Sequence, residues 1–284
     1  MPTVSVITPV FAPTATYLRE TISSVNAQRL PPGWEIEWLV QEDGPCPALG
    51  NQFHGLSYAR YEANGTHLGI GATRNSALSR ATGELVHVLD HDDVLLPGAL
   101  ATLIPRFEQN SIHWAVGQAD DLMPDGRRVP WKSALPFGLV EQGTVNNLAI
   151  EREGNWSIHC AGLMMRTDSV RALGGWAAAP SDEDIVLFAA LTEVSAGYNE
   201  PQVTWLYRQH QGQATRSRTV RDRSAQGRRI ALQRTMAARQ TGLSLTRATP
   251  LPGARPDPDE IRVGPAEKDS DELGEASRGT SLGR

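Results

Sequence analysis

Apolar and polar positions along this chain follow two different periods. Val4 to Val10 is a short apolar run that reads as a buried strand. Leu18, Ile22 and Val25 then recur at helical spacing across Thr16 to Gln28, with Thr16 placed to cap the helix. Ile36 to Val40 is a second apolar run, closed by the turn-like QEDGP, and Arg60 to Ala63 offers a brief third strand. The segment GIGATRNSALSRATG gives a loop, a helix over Ala72 to Ala81 and a stop at Gly83, and Leu85 to Leu89 supplies a fourth strand. Strands alternating with helices over the first hundred residues imply an α/β protein whose largely parallel sheet is covered on both faces. In sheets of that kind, ligands gather at the carboxyl ends of the strands.

The middle of the chain is less regular. Trp114 to Gln118 reads as a strand followed by a hairpin-like MPDGRR, and Ile158 to Met165 is another apolar stretch. GGW precedes a helix beginning near Ser181, and Val203 to Tyr207 is the last core strand expected. Beyond Gln213 the composition changes. Arg216, Arg218, Arg221, Arg223, Arg228, Arg229, Arg234 and Arg239 lie in a segment whose one acid is Asp222, and Ala225 to Arg239 can form a basic helix. From about Ala248 onward Pro, Gly, Ser and mixed charge dominate, a composition that cannot bury a core and predicts disorder.

The fourth strand runs directly into Asp90, His91, Asp92 and Asp93. One Asp at a strand end is ordinary turn or cap chemistry. Three together repel each other unless a cation or a set of donors neutralises them. Asp90 and Asp92 are one residue apart, so in an extended strand end both point the same way. That pairing suits a hard divalent ion, Mg²⁺ or Mn²⁺, shared with phosphate oxygens. Asp93 is the residue expected to cap the next helix, with Pro97 in that helix's first turn.

Composition narrows the function. The chain of 284 residues is 40% hydrophobic and 21% charged, as in ordinary soluble proteins, and its net charge of -5 argues against general nucleic-acid binding. Two cysteines, Cys46 and Cys160, stand in no metal or redox spacing. With no secretory pattern at the start and no apolar stretch of about 20 residues, the expectation is a cytoplasmic protein without a transmembrane segment. A homo-oligomer stays open.

LDHDDVLLPGAL resembles the D-x-D region of family 2 glycosyltransferases, the inverting nucleotide-sugar enzymes of GT-A fold. SVITPVF, QEDG, GIGATRNSAL, AGLMMRTDSVRALGGW, DEDIVLF and WLYRQHQGQ follow that family's order, from about Val4 to Gln213. The resemblance implies a GT-A domain over residues 1–213, with a nucleotide-binding half at about 1–110 and an acceptor half at about 111–213. A basic helical extension or lid then covers 214–247 and a disordered tail 248–284. It also implies that Pro9, Phe11, Glu42 and Asp43 hold the nucleoside, with Glu42 standing where the family usually has a second aspartate.

By the same resemblance Arg74 is a donor-side contact, against the alternative of a surface or core ion pair, while Asn75 braces the loop. Asp90 and His91 lie on the donor, and Asp92 and His210 are metal ligands, His210 having the plain alternative of a satisfied polar group. In PSDEDIVLF the acids suit a helix N-terminus with Ser181 as its cap. The family's Glu-Asp pair instead makes Asp184 the base and Glu183 its partner. Arg208 or the arginines after it can face the diphosphate.

QATRS replaces the Q-x-x-R-W of membrane-embedded synthases, so one sugar added per acceptor is expected. The donor is then a UDP-, TDP- or GDP-sugar and the acceptor a hydroxyl. The alternatives are a catalytically silent nucleotide-sugar binding protein and a sugar-phosphate nucleotidyltransferase. The second would need a Gly-rich loop where this chain has TPVFAP. Trp34, Trp38, Trp114 and Trp205 are expected in the core, while Trp131, Trp156 and His159 fall in the middle section where acceptors dock.

Overall fold

The computed structural model describes residues 1–252 apart from 157, 159, 160 and 217, so His159, Cys160 and most of the tail lie outside the described residues. The β-branched run of β1 (Thr3–Phe11) pairs in parallel with β2 (Glu35–Asp43) and β4 (Leu85–Val88), so that Val4 meets both Ile36 and Leu85. β3 (Ala59–Ala63) extends this parallel half at the β2 edge. On the other side of β4, β9 (Leu163–Arg166) runs antiparallel and joins it to β6 (Trp114–Leu122), which pairs in parallel with β10 (Gly197–Arg208). Short antiparallel strands, β5 (Val94–Leu95), β7 (Arg128–Pro130) and β8 (Gly138–Val140), complete the sheet. The result is the mainly parallel α/β architecture expected, with antiparallel additions in its second half.

Alternating residues send two cores to opposite faces. Val4, Val6, Val10, Trp38 and Val40 pack with α1 (Leu18–Asn26) and α3 (Ala99–Gln109). Ile7, Leu39, Val86 and Val88 pack with α2 (Ile70–Ser79), α4 (Thr144–Glu151), α5 (Thr167–Ala172) and α6 (Glu183–Val194). The tryptophans at 34, 38, 114 and 205 are buried as expected, and so is Trp156; Trp131 is exposed. α6 is apolar on nearly every side because other helices surround it.

Several boundaries differ from the sequence pattern for local reasons. The first helix begins late: Pro13 and a kink at Ala15 turn Ala12–Tyr17 into a 3-10 segment, and Thr16 caps nothing. The last core strand is twelve residues long, carried past its expected start by irregular pairing with β6 near Asn199 and Val203. At the end of the 158–165 apolar stretch, β9 starts only at Leu163, because Gly162 takes a positive φ of 82° against the Trp205 indole.

Residues Met1–Gly253 form one compact unit. The arginine-rich segment is α7 (Arg218–Thr241), a docked helix with Gly227, Ala231, Thr235 and Ala238 on its buried face. It lies on α6, and Arg239 holds the buried Glu193 carboxylate through two N–H groups at 2.8 and 3.0 Å. Residues 248–252 also depart from the expected disorder. Arg166 donates to the Thr249 carbonyl and the Leu251 N–H donates to the Phe107 carbonyl.

Candidate active site

The carboxyl ends of β1, β4 and β10 meet at the DHDD segment, where His91 contacts the Pro9 carbonyl and Asp93 the Arg208 N–H. That segment is a turn rather than a strand end: β4 stops at Val88, and the Asp93 N–H donates to the Asp90 carbonyl at 3.2 Å. Asp90 and Asp92 therefore do not share the extended-strand direction expected of them. Each of the three aspartates has its own partner instead. Asp90 accepts from Arg74 at 2.7 Å, Asp92 lies 2.8 Å from His210 Nε2, and Asp93 accepts from the Arg208 backbone N–H at 2.9 Å. Asp93 is not a helix cap. Gly98 precedes α3 in that position, with Pro97 ahead of it rather than inside the helix. Burial, with Asp92 and Asp90 beside it, pushes the Asp93 carboxyl well above the usual range.

Arg74 is the centre of the cluster. Its side chain is 2% exposed, and it bridges Asp90 to Glu183, which accepts at 2.6 Å. One guanidinium thus joins the loop after β4 to the first turn of α6, which suits its planar fork of donors. The approach is close because residue 71 is glycine: a Cβ there would lie 3.2 Å from Glu183 Cγ and 3.1 Å from the Ala177 carbonyl. Asn75 braces the neighbouring GGW loop, accepting from the Trp176 N–H at 2.9 Å and donating to its carbonyl at 2.8 Å. Trp176 places its ring 5.9 Å from the Arg74 guanidinium.

Asp184 lies next to this bridge, its Oδ1 accepting from the Ile185 N–H at 2.8 Å. Burial and the Glu183 carboxylate raise its carboxyl to about 7, against the lowering influence of Arg74. A carboxyl raised in this way toward neutrality is suited to exchanging a proton. Ser181 does not stand at the N-cap of α6; Asp182 does, in the left-handed conformation with φ 55° and with no side-chain cap bond.

At the β1–β2 end, Asp43 accepts from the Leu68 and Gly69 N–H groups at 2.7 and 3.0 Å, from Asn64, and contacts His67 at 2.8 Å. Burial opposes ionisation there, but these donors hold the carboxyl below its usual value. The Phe11 ring stands 5.4 Å from His67. His91 contacts the Pro9 carbonyl at 3.2 Å and the Thr14 hydroxyl at 3.1 Å, which holds the turn against the end of β1. Glu42, expected with the nucleoside, is 1% exposed and engaged elsewhere: the Ala48 and Leu49 N–H groups and the Tyr61 hydroxyl all donate to it.

Arg208 likewise turns inward, donating to the Asp92 carbonyl and to Glu20 at 2.8 and 2.6 Å across the Tyr17 ring. Tyr17 also backs His210, with ring centres 5.0 Å apart. Sequence reasoning missed Tyr17, Glu20, Asn64 and His67. None lies in a motif of its own, and only folding brings them to the strand ends.

The glycosyl transferase family 2 model matches residues 5–173. The chain belongs to glycosyl transferase family 2. This family 2 chain is 30% identical over 174 residues to a Campylobacter jejuni GalNAc(5)-diNAcBac-PP-undecaprenol beta-1,3-glucosyltransferase, covering 60% of the chain and 45% of the relative. It is 35% identical over 154 residues to the uncharacterized protein y4gI of Sinorhizobium fredii, covering 49% of the chain and 16% of that protein. The chain therefore spans less than half the length of either relative. Among solved structures, residues 1–349 of S. aureus TarS with UDP-GlcNAc superpose with a TM-score of 0.61 at 21% identity, over 76% of this chain and 61% of that one. The same TarS segment with UDP gives 0.58 at 20% identity, over 74% and 61%. That likeness shows the GT-A fold. Among the described residues, no helix is long and apolar enough to cross a membrane.

Proposed function

We propose that the protein moves one sugar, with inversion, from a nucleotide-diphosphate sugar to an acceptor hydroxyl. Asp184 takes the acceptor proton as the acceptor oxygen bonds to the anomeric carbon. The bond from that carbon to the diphosphate oxygen breaks, and the nucleoside diphosphate leaves with the electron pair. The observation that carries this reading is the Arg74 bridge, which places the first turn of α6 against the aspartate turn after β4. The base and the diphosphate-binding turn thereby occupy one site at the carboxyl edge of the sheet.

Phe11, His67 and Asp43 mark the nucleoside end, and Pro9 and His91 its floor. Glu42 holds the loop beside it. A divalent ion fits beside Asp92 and His210. Their facing atoms are 2.8 Å apart, near the edge of about 3 Å expected between neighbouring ligands in an octahedron with bonds of about 2.1 Å. A carboxylate with an imidazole favours Mn²⁺ over Mg²⁺. No cluster of three or more such ligands exists among the described residues, so phosphate oxygens and water would complete the shell. When bound, the ion would neutralise charge on the departing diphosphate.

The TarS structures contain UDP-GlcNAc and UDP, which makes uridine donors the first arm of a test. Thermal-shift measurements against UDP-, TDP- and GDP-sugars, with and without Mn²⁺, should give a rise for one base by mass action. Release of nucleoside diphosphate should follow with an acceptor saccharide, and the product should carry the inverted anomeric configuration by NMR. Binding with neither transfer nor donor hydrolysis across the panel would instead identify a silent nucleotide-sugar binding protein.

A further inference from the structure

We infer that Ser224 and Gly227 of α7 are positioning residues for the base: they clamp the loop ahead of α6 and so set where the Asp184 carboxylate stands. The inference rests on the reading of Asp184 as base.

Asp182 is one of two non-glycine residues with positive φ among those described, at φ 55° and ψ 33°. Aspartate is among the few L residues that enter that region, and it does so when its short side chain finds a hydrogen bond. The grip comes from α7. The Ser224 hydroxyl donates to the Asp182 carboxylate, which the Ser181 hydroxyl also approaches at 3.4 Å. Gly227 lies directly against the Ser181 carbonyl. A Cβ at 227 would overlap that oxygen and lie 3.1 Å from Asp182 Cβ. Only proline is a poorer helix former than glycine, so its place inside a 24-residue helix is explained by this close approach. From the other side, the Asp182 carbonyl accepts the Val186 N–H at 3.0 Å and starts α6. One residue is thus held by α7 through its side chain and fixes the first turn of α6 through its backbone. Glu183 and Asp184 come next in the chain.

The chain just ahead of α7 belongs to the other end of the proposed site. Arg216, just before α7, donates to Gln209 at 2.9 Å and to Gln213 at 3.1 Å, and the His210 N–H donates to that same Gln213 oxygen at 3.2 Å. The run from His210 to Gly227 therefore spans from the proposed ion site to the base loop. It lies wholly beyond the residues matched by the family model.

The test compares Ser224→Ala, Ser224→Thr, Gly227→Ala and Asp184→Asn in the full chain. The assay is release of UDP, TDP or GDP from the most active sugar of the panel. Misplacing a reacting group by 1 Å can lower a rate on the order of 100-fold. Ser224→Ala is accordingly expected to lower kcat by about tenfold, with donor KM changed less than about twofold. Ser224→Thr should restore kcat, and Gly227→Ala should lower it further. Asp184 is faced by Glu183 on its own helix, by Arg74 from α2 and by Asp90 from the turn after β4. Loosening the loop admits water, so the acid limb of the Ser224→Ala pH–rate profile should move to lower pH.

Wild-type kcat in both Ser224→Ala and Gly227→Ala would overturn the inference. A lower kcat with an unmoved acid limb and no rescue by threonine would do the same, because a general loss of stability would then explain it. Should Gly227→Ala fail to fold, the two Ser224 variants decide. Full turnover in Asp184→Asn would remove the base assignment itself, whatever the α7 variants do.

Discussion

Replacing Arg74 by Ala removes the guanidinium that Asp90 and Glu183 share. The guanidinium is 2% exposed, and its two ion pairs measure 2.7 and 2.6 Å. Breaking a buried pair by deleting one partner destabilises by about 3–5 kcal/mol, because the charge left behind has no compensation. Asp90 is a quarter exposed, so water recovers part of that loss. The expected value is therefore the low end, about 3 kcal/mol, or a fall in Tm of roughly 10 °C for a domain of this size. Urea unfolding of wild type and Arg74→Ala reads it directly as a lower midpoint at unchanged slope. Adding Glu183→Gln to Arg74→Met removes both charges of the more buried pair and should recover at least about half of the loss. A cost under about 1 kcal/mol for Arg74→Ala, or a double variant no more stable than the single, would refute the bridge as the organiser of the site.

Other expectations can be checked one by one. Asp184→Asn should reduce turnover by roughly 10²- to 10⁴-fold while the thermal shift with donor persists. In the wild type, activity should rise with pH through about 7, because the base works only when ionised. The stability sign is opposite. With the folded carboxyl raised from 3.8 to about 7, its contribution is complete below 3.8 and is lost as pH rises through about 7. Asp184→Asn should flatten that slope in thermal melts between pH 4 and 7. Glu42→Gln should destabilise by about 1–2 kcal/mol, since charge-assisted bonds to two amides and a phenol weaken, yet leave donor affinity unchanged in the thermal-shift panel.

The first strands were legible because β1, β2 and β4 are built on short apolar runs, and those runs sit where the periodicity placed them. Asp43 and the aspartate turn lie at the ends of β2 and β4, as strand order predicts, whereas Glu42 and Arg208 turn to other partners. Partner choice was not legible. Nothing local distinguishes Asp90, Asp92 and Asp93, which find Arg74, His210 and the Arg208 backbone across separations of 16 to 118 residues. Glu42 and Asp43 are neighbours in sequence, but a strand sends them to opposite faces, one to the 48–49 loop and one to the 68–69 loop. The docking of α7 was hidden by its charge. Its buried stripe of Gly227, Ala231, Thr235 and Ala238 is made of small residues that carry little hydrophobic signal.

A crystal structure with Mn²⁺ and the nucleoside diphosphate chosen by the panel would put the donor site to the sharpest test. An anomalous peak is expected, bonded to Asp92 Oδ2, His210 Nε2 and diphosphate oxygens, with the base of the nucleotide beside Phe11 and Asp43. A nucleotide bound away from the aspartate turn, or at the turn with Asp92 and His210 still bonded only to each other, would refute the proposed site.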